Sequence, residues 1–248
     1  IVGTFLSQYY LGIYRTSMST VGQITSIITA ATTPVLFASL SRLQDNENEF
    51  RVMFFKFQKL VGILVLPLGV GIFLFRNLIT DLLLGPQWHE ASLIIGLWGM
   101  TSAVTIVLSH YSSEIYRAKG RPKISVLAQW LHIIALWPTI LIAVKYDFNT
   151  LCYARSFIRF EGILVHIVIL YFVMKIPLRK MFSNILPAVF ASACMFLVLF
   201  LPEVESMWLQ FVYAGIDAII YFAVIMLFPK ERSILLNLKT TIRVKSEK

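Results

Sequence analysis

The stretch Ala91–Lys123, ASLIIGLWGMTSAVTIVLSHYSSEIYRAKGRPK, decides the fold class of this chain. Its first part, residues 91–111, is mostly apolar and close to the roughly 20 residues that a helix needs to cross a bilayer. The turn that follows is basic and contains Arg117, Lys119, Arg121 and Lys123. Short basic connections stay on the cytoplasmic side of a membrane. The stretch therefore predicts a spanning helix that ends in the cytoplasm.

The same alternation runs along the whole chain. Of the 22 Lys and Arg residues, 17 fall into four clusters of four, four, three and six, separated by long apolar segments. Besides the turn above, the clusters are Arg42, Arg51, Lys56 and Lys59; Lys175, Arg179 and Lys180; and Lys230, Arg232, Lys239, Arg243, Lys245 and Lys248. The connections between them, which we assign to the outer side, are Arg15–Met18, Gly85–Glu90, Lys145–Thr150 and Pro202–Met207.

Composition agrees with a membrane protein. Hydrophobic residues make up 58% of the chain and charged residues only 14%, against about 25% charged residues in soluble domains. The net charge of +9 sits at the ends of apolar segments and not along one polar face. We therefore expect membrane lipids, and not nucleic acid, as partners of the basic residues. Two cysteines, Cys152 and Cys194, are too few for a disulfide framework.

Eight apolar segments predict an all-α, polytopic transmembrane helix bundle of about eight spans, because open strand edges are not tolerated in lipid. The segments are Ile1–Tyr14, Ser19–Leu40, Lys59–Leu83, Ala91–Tyr111, Ile124–Val144, Leu151–Met174, Ile185–Leu201 and Trp208–Phe228. The first is too short to span, so we expect that residues precede it in a longer protein. Residues 1–229 are predicted to form one helical lobe and residues 230–248 a basic cytoplasmic tail.

Two features of the second and third segments leave alternatives open. The Phe-rich basic stretch Asn46–Lys59 is either a short helix along the inner leaflet or an inner extension of the next spanning helix. Pro67, which is flanked by glycines, is a hinge candidate because proline removes a backbone donor. Proline and glycine are, however, also commoner in spanning helices than in soluble ones.

Charged residues inside the spans are the main candidates for a substrate site, because a charge at mid-bilayer is costly. Helical rise puts Arg155 about 6 Å, Arg159 about 12 Å and Glu161 about 15 Å below the outer boundary. Asp217 comes to about 14 Å by the same count. One interpretation is a hydrated cavity in which an arginine binds an anionic ligand. The other is an Arg159–Asp217 pair that fixes helix register, with Arg155 reaching towards the surface.

His132 and His166 lie at similar depth and are candidates for proton coupling, because histidine titrates near neutral pH. The alternative is that both are satisfied polar groups between helices. Two isolated histidines form a poor metal site, so we predict no metal and no cofactor. The motifs of the common enzyme classes are missing, and no outward connection is large enough for a catalytic site. We therefore predict that the protein is not an enzyme.

Four segments carry a family resemblance: Pro34–Asp45 (PVLFASLSRLQD), Leu66–Gly71 (LPLGVG), Leu83–Ala91 (LLGPQWHEA) and Tyr116–Lys123 (YRAKGRPK). They resemble the Wzx-type flippases of bacterial polysaccharide and O-antigen synthesis, within the multidrug/oligosaccharidyl-lipid/polysaccharide exporter superfamily. The resemblance implies a transporter of two helical lobes, similar to the multidrug exporters of that superfamily, of which this chain is the C-terminal half.

The resemblance also implies a function. Such a protein moves undecaprenyl-diphosphate-linked oligosaccharide across the inner membrane by alternating access, for lipopolysaccharide or exopolysaccharide synthesis, beside the polysaccharide polymerase machinery. None of the family's motifs falls on Arg155, Arg159, Glu161 or Asp217, so these candidates rest on depth and charge. The alternatives are a drug or small-molecule exporter of the same superfamily and a polysaccharide polymerase or ligase.

Overall fold

The computed structural model describes residues 2–202 and 206–236, and in these ranges it is a helical bundle without β-strands. The helices are α1 (Val2–Phe5), α2 (Gln8–Arg42), α3 (Glu47–Leu74), α4 (Arg76–Leu83), α5 (Ser92–Thr105), α6 (Ser112–Ala118), α7 (Lys123–Ala143), α8 (Phe148–Phe157), α9 (Arg159–Phe172), α10 (Leu178–Cys194) and α11 (Met207–Met226). Two 3₁₀ turns (Pro86–Ala91, Met195–Phe200) and a π turn (Ile106–His110) extend them, and residues 229–236 are also helical.

Six of these helical stretches are long and apolar enough to cross a membrane. They are Gln8–Ser41, Glu47–Leu74, Pro86–Ala118, Lys123–Ala143, Leu178–Phe200 and Met207–Met226. A seventh helical segment consists of α8 and α9, which cover residues 148–172 apart from a break at Ile158, and it carries Arg155, Arg159 and Glu161. The predicted polytopic helical bundle is confirmed. The basic tail beyond residue 236, with Lys239, Arg243, Lys245 and Lys248, and residues 203–205 of the last outer connection lie outside the described residues.

The predicted connection at Arg15–Met18 is wrong, because α2 runs through it as one helix of 35 residues. The hydroxyl of Ser17 donates to the carbonyl of Ile13 at 2.7 Å, so a polar residue that looked like part of a turn is satisfied within the helix. At 1.5 Å per residue, α2 is about 52 Å long, more than the roughly 30 Å hydrocarbon core. Residues 8–40 of the first two predicted segments therefore lie in a single long helix.

α3 settles the alternatives for the stretch before it. The side chain of Asn46 caps the helix by accepting from the backbone N–H of Glu49, and the helix then continues to Leu74. The Phe-rich stretch is therefore an extension of the spanning helix. α3 is also continuous through Pro67 and ends at Leu74, and Phe75 separates it from α4.

α3 and α5 form the centre of the bundle because glycines let them touch. A Cβ atom on Gly69 would lie 2.2 Å from Cβ of Ala103, and one on Gly99 would lie 2.4 Å from Cγ2 of Ile72. Small residues at such interfaces allow close approach of spanning helices. α10 and α11 pack on α3, whereas α2, α8 and α9 pack on α5. The α3–α5 pair therefore lies between two sets of helices.

The described parts of the four basic clusters meet at one end of the bundle. Lys119 Nζ lies 3.2 Å from a carboxylate oxygen of Glu47, and Lys180 Nζ lies 5.0 Å from the ring centroid of a phenylalanine in α3. Lys59 Nζ pairs with Glu231 at 2.7 Å. These contacts join the turn after α6, the start of α10 and the segment after α11 to the start of α3. We call this the basic end.

The outer surface of the bundle is apolar. α7 exposes Trp130, Ile134 and Trp137, each by more than half of its accessible surface, and α11 exposes Ile219 by 68%. Such large apolar side chains are costly in water but favourable in hydrocarbon. This surface is typical of helices that face lipid.

Candidate functional site

A polar cavity of about 290 Å³ lies between α5, α7, α8 and α9. Its lining includes Trp98, Thr105, Ser109, Gln129, His132, Arg155, Arg159, Gly162 and His166. Charged side chains within spanning segments are expensive and usually mark functional sites or ion pathways. This polar cavity is therefore the candidate site, and it contains four of the side chains that the sequence singled out.

Two arginines lie over one indole ring in the polar cavity. The guanidinium carbon of Arg159 is 3.9 Å from the Trp98 ring centroid, and that of Arg155 is 4.8 Å from it. Residues four apart lie on one side of a helix, and the two keep this relation across the break at Ile158. The ring face attracts both cations. The cavity therefore holds two positive charges close together.

Arg159 is anchored by neutral oxygens of α5. Its Nη1 donates to the hydroxyl of Ser102 at 2.5 Å and to the carbonyl of Trp98 at 3.5 Å. Among the described residues, neither Arg159 nor Arg155 has a carboxylate within 4.0 Å. The two guanidinium charges are thus positioned without a direct counter-charge. Their planar forks match the geometry of carboxylates and phosphates.

Both histidines at the cavity have a hydrogen-bond partner. His132 Nδ1 lies 2.8 Å from a carboxylate oxygen of Glu161, and His166 Nδ1 lies 3.1 Å from the hydroxyl of Tyr116. A Cβ atom at position 162 would be 3.1 Å from His132 Nδ1, so Gly162 leaves room for the His132–Glu161 contact. Glu161 is therefore engaged with a histidine on α7. Proton coupling through these histidines remains a prediction.

Asp217 and Pro67 lie together in a second cavity, away from the arginines. This apolar cavity of about 390 Å³ is formed mainly by α3, α4 and α11. The predicted Arg159–Asp217 pair is wrong, because Arg159 bonds to Ser102 and both carboxylate oxygens of Asp217 lack a hydrogen-bond partner in the described chain. The reason is that α11 packs on α3 and α10, whereas Arg159 begins α9, which packs on α5 and α7.

The sequence interpretation missed the contribution of α5. Trp98, Ser102, Thr105 and Ser109 follow one another at intervals of four, three and four residues, so they share one helix face. This polar stripe in an otherwise apolar segment was a usable signal. The π turn over Ile106–His110 adjoins the same face, and π turns often occur at functional sites. The described residues contain no cluster of His, Cys, Asp and Glu that fits a metal ion.

The fold and the cavity together define a polytopic helical membrane protein with a cationic cavity inside the bundle. Residues 1–93 match the family described as "Polysaccharide biosynthesis protein". The chain is also 26% identical over 140 residues to an uncharacterized membrane protein in the cps region of Klebsiella pneumoniae. That match covers 56% of this chain and 29% of the relative.

Among solved structures, the lipid II flippase MurJ in an inward closed conformation has the same fold. The TM-score is 0.62 at 15% identity, over 85% of this chain and 47% of MurJ. The chain thus matches less than half the length of either protein. The three similarities agree with the resemblance seen in the sequence, and the likeness to MurJ shows a shared fold.

Proposed function

We propose that this chain is the C-terminal lobe of a flippase for undecaprenyl-diphosphate-linked oligosaccharides. The whole protein would move the lipid-linked sugar from the cytoplasmic to the periplasmic leaflet of the bacterial inner membrane, for lipopolysaccharide or exopolysaccharide synthesis. Movement would follow alternating access, with two lobes rocking against each other. The family matching residues 1–93 and the likeness to a lipid II flippase support this substrate class.

The observation that carries the proposal is the pair of unneutralised arginines in the polar cavity. A diphosphate cannot cross hydrocarbon unless other polar groups replace its water. Arg155 and Arg159 lie near each other on Trp98, so both can donate to one diphosphate. A cavity of about 290 Å³ has room for the charged group but not for a long glycan. The sugars would occupy space that the missing lobe helps to enclose.

Orientation follows from the basic end. We infer that it faces the cytoplasm, as the positive-inside rule requires, and that the C-terminus is therefore cytoplasmic. Single cysteines at positions 120 and 178 should resist a membrane-impermeant thiol reagent added from outside, while one at position 87 should react. Ready labelling at 120 or 178 with none at 87 would show that the basic end faces outward and would contradict this orientation.

Deleting the complete gene and following lipid-linked intermediates tests the substrate class. The flippase proposal expects the intermediate to accumulate in the cytoplasmic leaflet, and the gene with its full upstream region should restore its translocation. An unchanged leaflet distribution would reject the proposal and favour a drug or small-molecule exporter. Normal translocation with blocked chain elongation would favour a polymerase or ligase.

A further inference from the structure

Asp217 is an acid in the middle of a spanning helix, and it has no ion-pair partner among the residues that the structure describes. It is the eleventh of the 20 residues of α11, and only 1% of its surface is exposed. Both carboxylate oxygens are shielded from solvent, and neither has a hydrogen-bond partner within the described residues. No ion pair compensates it there, unlike Glu161, which contacts His132.

The described residues around Asp217 offer no positive charge. α3, α4 and the residue that joins them contribute apolar side chains to the cavity, among them Leu64, Pro67 and Phe75, and the turn after α10 contributes Met195. α10, the other neighbour of α11, contributes no residue to this lining. On α11 itself, Tyr221 is the one other titratable residue that lines the cavity as described. An ionised carboxylate here would thus have no counter-charge.

Tyr221 has a separate role beside Asp217. Its hydroxyl donates to the carbonyl oxygen of Ile63 at 2.7 Å. Ile63 precedes Pro67 by four residues, so its carbonyl is the one that the missing proline N–H leaves without a helical partner. Tyr221 therefore ties α11 to the proline site of α3. Breaking this bond is one step in any separation of the two helices.

The groups that line the apolar cavity suit a proton, and not a metal cation, as the ligand of Asp217. An isolated ionised carboxylate in an apolar site is so costly that the group neutralises instead. A bound Na⁺, Mg²⁺ or Ca²⁺ ion would need several oxygen ligands, and the cavity lining supplies no second carboxylate and a tyrosine that is already bonded. The shielded oxygens also leave no open surface for a larger cation.

We propose that Asp217 is a proton-binding site that is neutral while α11 packs on α3 and that loses its proton when the two helices separate. On separation, water enters and the carboxyl O–H bond breaks; the electron pair stays on the oxygen and the proton passes to water. A rise in pH therefore favours the separated arrangement. This inference does not depend on the identity of the transported substrate.

Infrared difference spectroscopy of the complete purified protein tests the protonation. The spectrum of the wild type minus that of Asp217→Asn should contain a protonated-carboxyl band at neutral pH, which shifts when aspartate is labelled with ¹³C. A difference that contains only carboxylate bands would overturn the proposal. Because Asn is close to the protonated acid in shape and polarity, the variant should still fold.

Pulsed electron paramagnetic resonance tests the linkage to helix separation. Spin labels at positions 52 and 219, both exposed in the wild type, report the distance between α3 and α11. The separated population should rise at least several-fold between about pH 6 and about pH 9, where ordinary Asp and Tyr side chains do not titrate. Asp217→Asn should abolish this rise, whereas Tyr221→Phe should increase separation at every pH and keep the rise.

The outcomes separate this inference from the proposed function. Distances that ignore pH in the wild type, or that respond equally in Asp217→Asn, would overturn the proton site even if translocation is normal. A pH-linked distance change in a protein that moves no lipid-linked sugar would instead reject the flippase proposal and leave the proton site intact.

Discussion

The polar cavity and the apolar cavity lie on either side of the α3–α5 pair, but they treat buried charge in different ways. In the polar cavity, Arg159 rests on an aromatic ring and bonds to two oxygens, and Glu161 contacts a histidine. In the apolar cavity, Asp217 has no partner in the described chain. A partnered charge can stay ionised and bind a ligand, whereas an unpartnered acid binds a proton. We therefore expect the polar cavity to bind an anionic ligand and the apolar cavity to bind a proton.

The largest expected effect is on the polar cavity. Arg159→Ala should reduce the translocation rate of the complete protein about 100-fold, because charge-assisted hydrogen bonds contribute about 1.5–3 kcal/mol each and more than one is lost. Arg159→Lys keeps the charge without the fork and should cost about tenfold. Rates are measured in proteoliposomes at matched protein levels.

Arg76→Ala is the matched control, since Arg76 also lies over an aromatic ring, Phe73, but away from the polar cavity. It should remain within about twofold of the wild type, because Arg76 does not line the polar cavity. Wild-type rates for both Arg159 variants would remove the arginine from the site.

On the apolar side, Tyr221→Phe should lower the free energy of unfolding by about 1–3 kcal/mol, because the buried carbonyl of Ile63 loses its partner. The measurement is the thermal unfolding midpoint of the purified protein. Tyr153→Phe, on a partly exposed tyrosine of α8, serves as the control and should change little. Equal midpoints for both variants would show that the Tyr221 hydroxyl does not tie α11 to α3.

A matched pair of acid-to-amide changes sharpens the contrast. Glu161→Gln removes a charge that His132 contacts and should cost about 1 kcal/mol of stability at a pH that protonates histidine. Asp217→Asn replaces a neutral acid by a neutral amide and should leave stability at neutral pH nearly unchanged. Thermal unfolding measures both losses of stability. A larger loss in Asp217→Asn than in Glu161→Gln would contradict the view that Glu161 is ionised and partnered while Asp217 is neutral.

The smallest expected effect is that of Gly162→Ala. The added methyl group would lie 3.1 Å from His132 Nδ1, so the imidazole must shift and its contact with Glu161 is disturbed. We expect a loss of about twofold to threefold in translocation rate, in line with a weakened hydrogen bond of up to about 1 kcal/mol. Gly215→Ala, where a methyl group meets open space, is the control. Equal translocation rates for Gly162→Ala and Gly215→Ala would show that movement of the His132 ring does not affect transport.

Sequence alone predicted the helical bundle and the convergence of its basic clusters, because apolar length and charge position are local properties. It failed at Arg15–Met18, which is polar enough to resemble a turn. The Ser17 hydroxyl bonds to a backbone carbonyl of the same helix, so the helix continues through this stretch. The depth of Arg159 and Asp217 follows from helical rise, but the direction of each side chain depends on which helices pack together. That packing separates the two residues, and the sequence pattern does not encode it.

Partners from distant segments were likewise beyond the sequence. Trp98 and Ser102 precede Arg159 by about 60 residues, and no local pattern joins them. His132 on α7 meets Glu161 on α9 beside Gly162, where the absence of a side chain leaves room for the imidazole. The candidate residues could be chosen by charge, whereas their pairing could only be read from the packed bundle.

Binding of undecaprenyl-diphosphate-linked oligosaccharide to the complete protein tests the central claim most directly. Native mass spectrometry of the wild type should show the bound lipid, Arg159→Ala should lower the bound fraction at least about tenfold, and Arg76→Ala should retain it. Equal binding by the wild type and Arg159→Ala would contradict the account, because the polar cavity would then not hold the diphosphate.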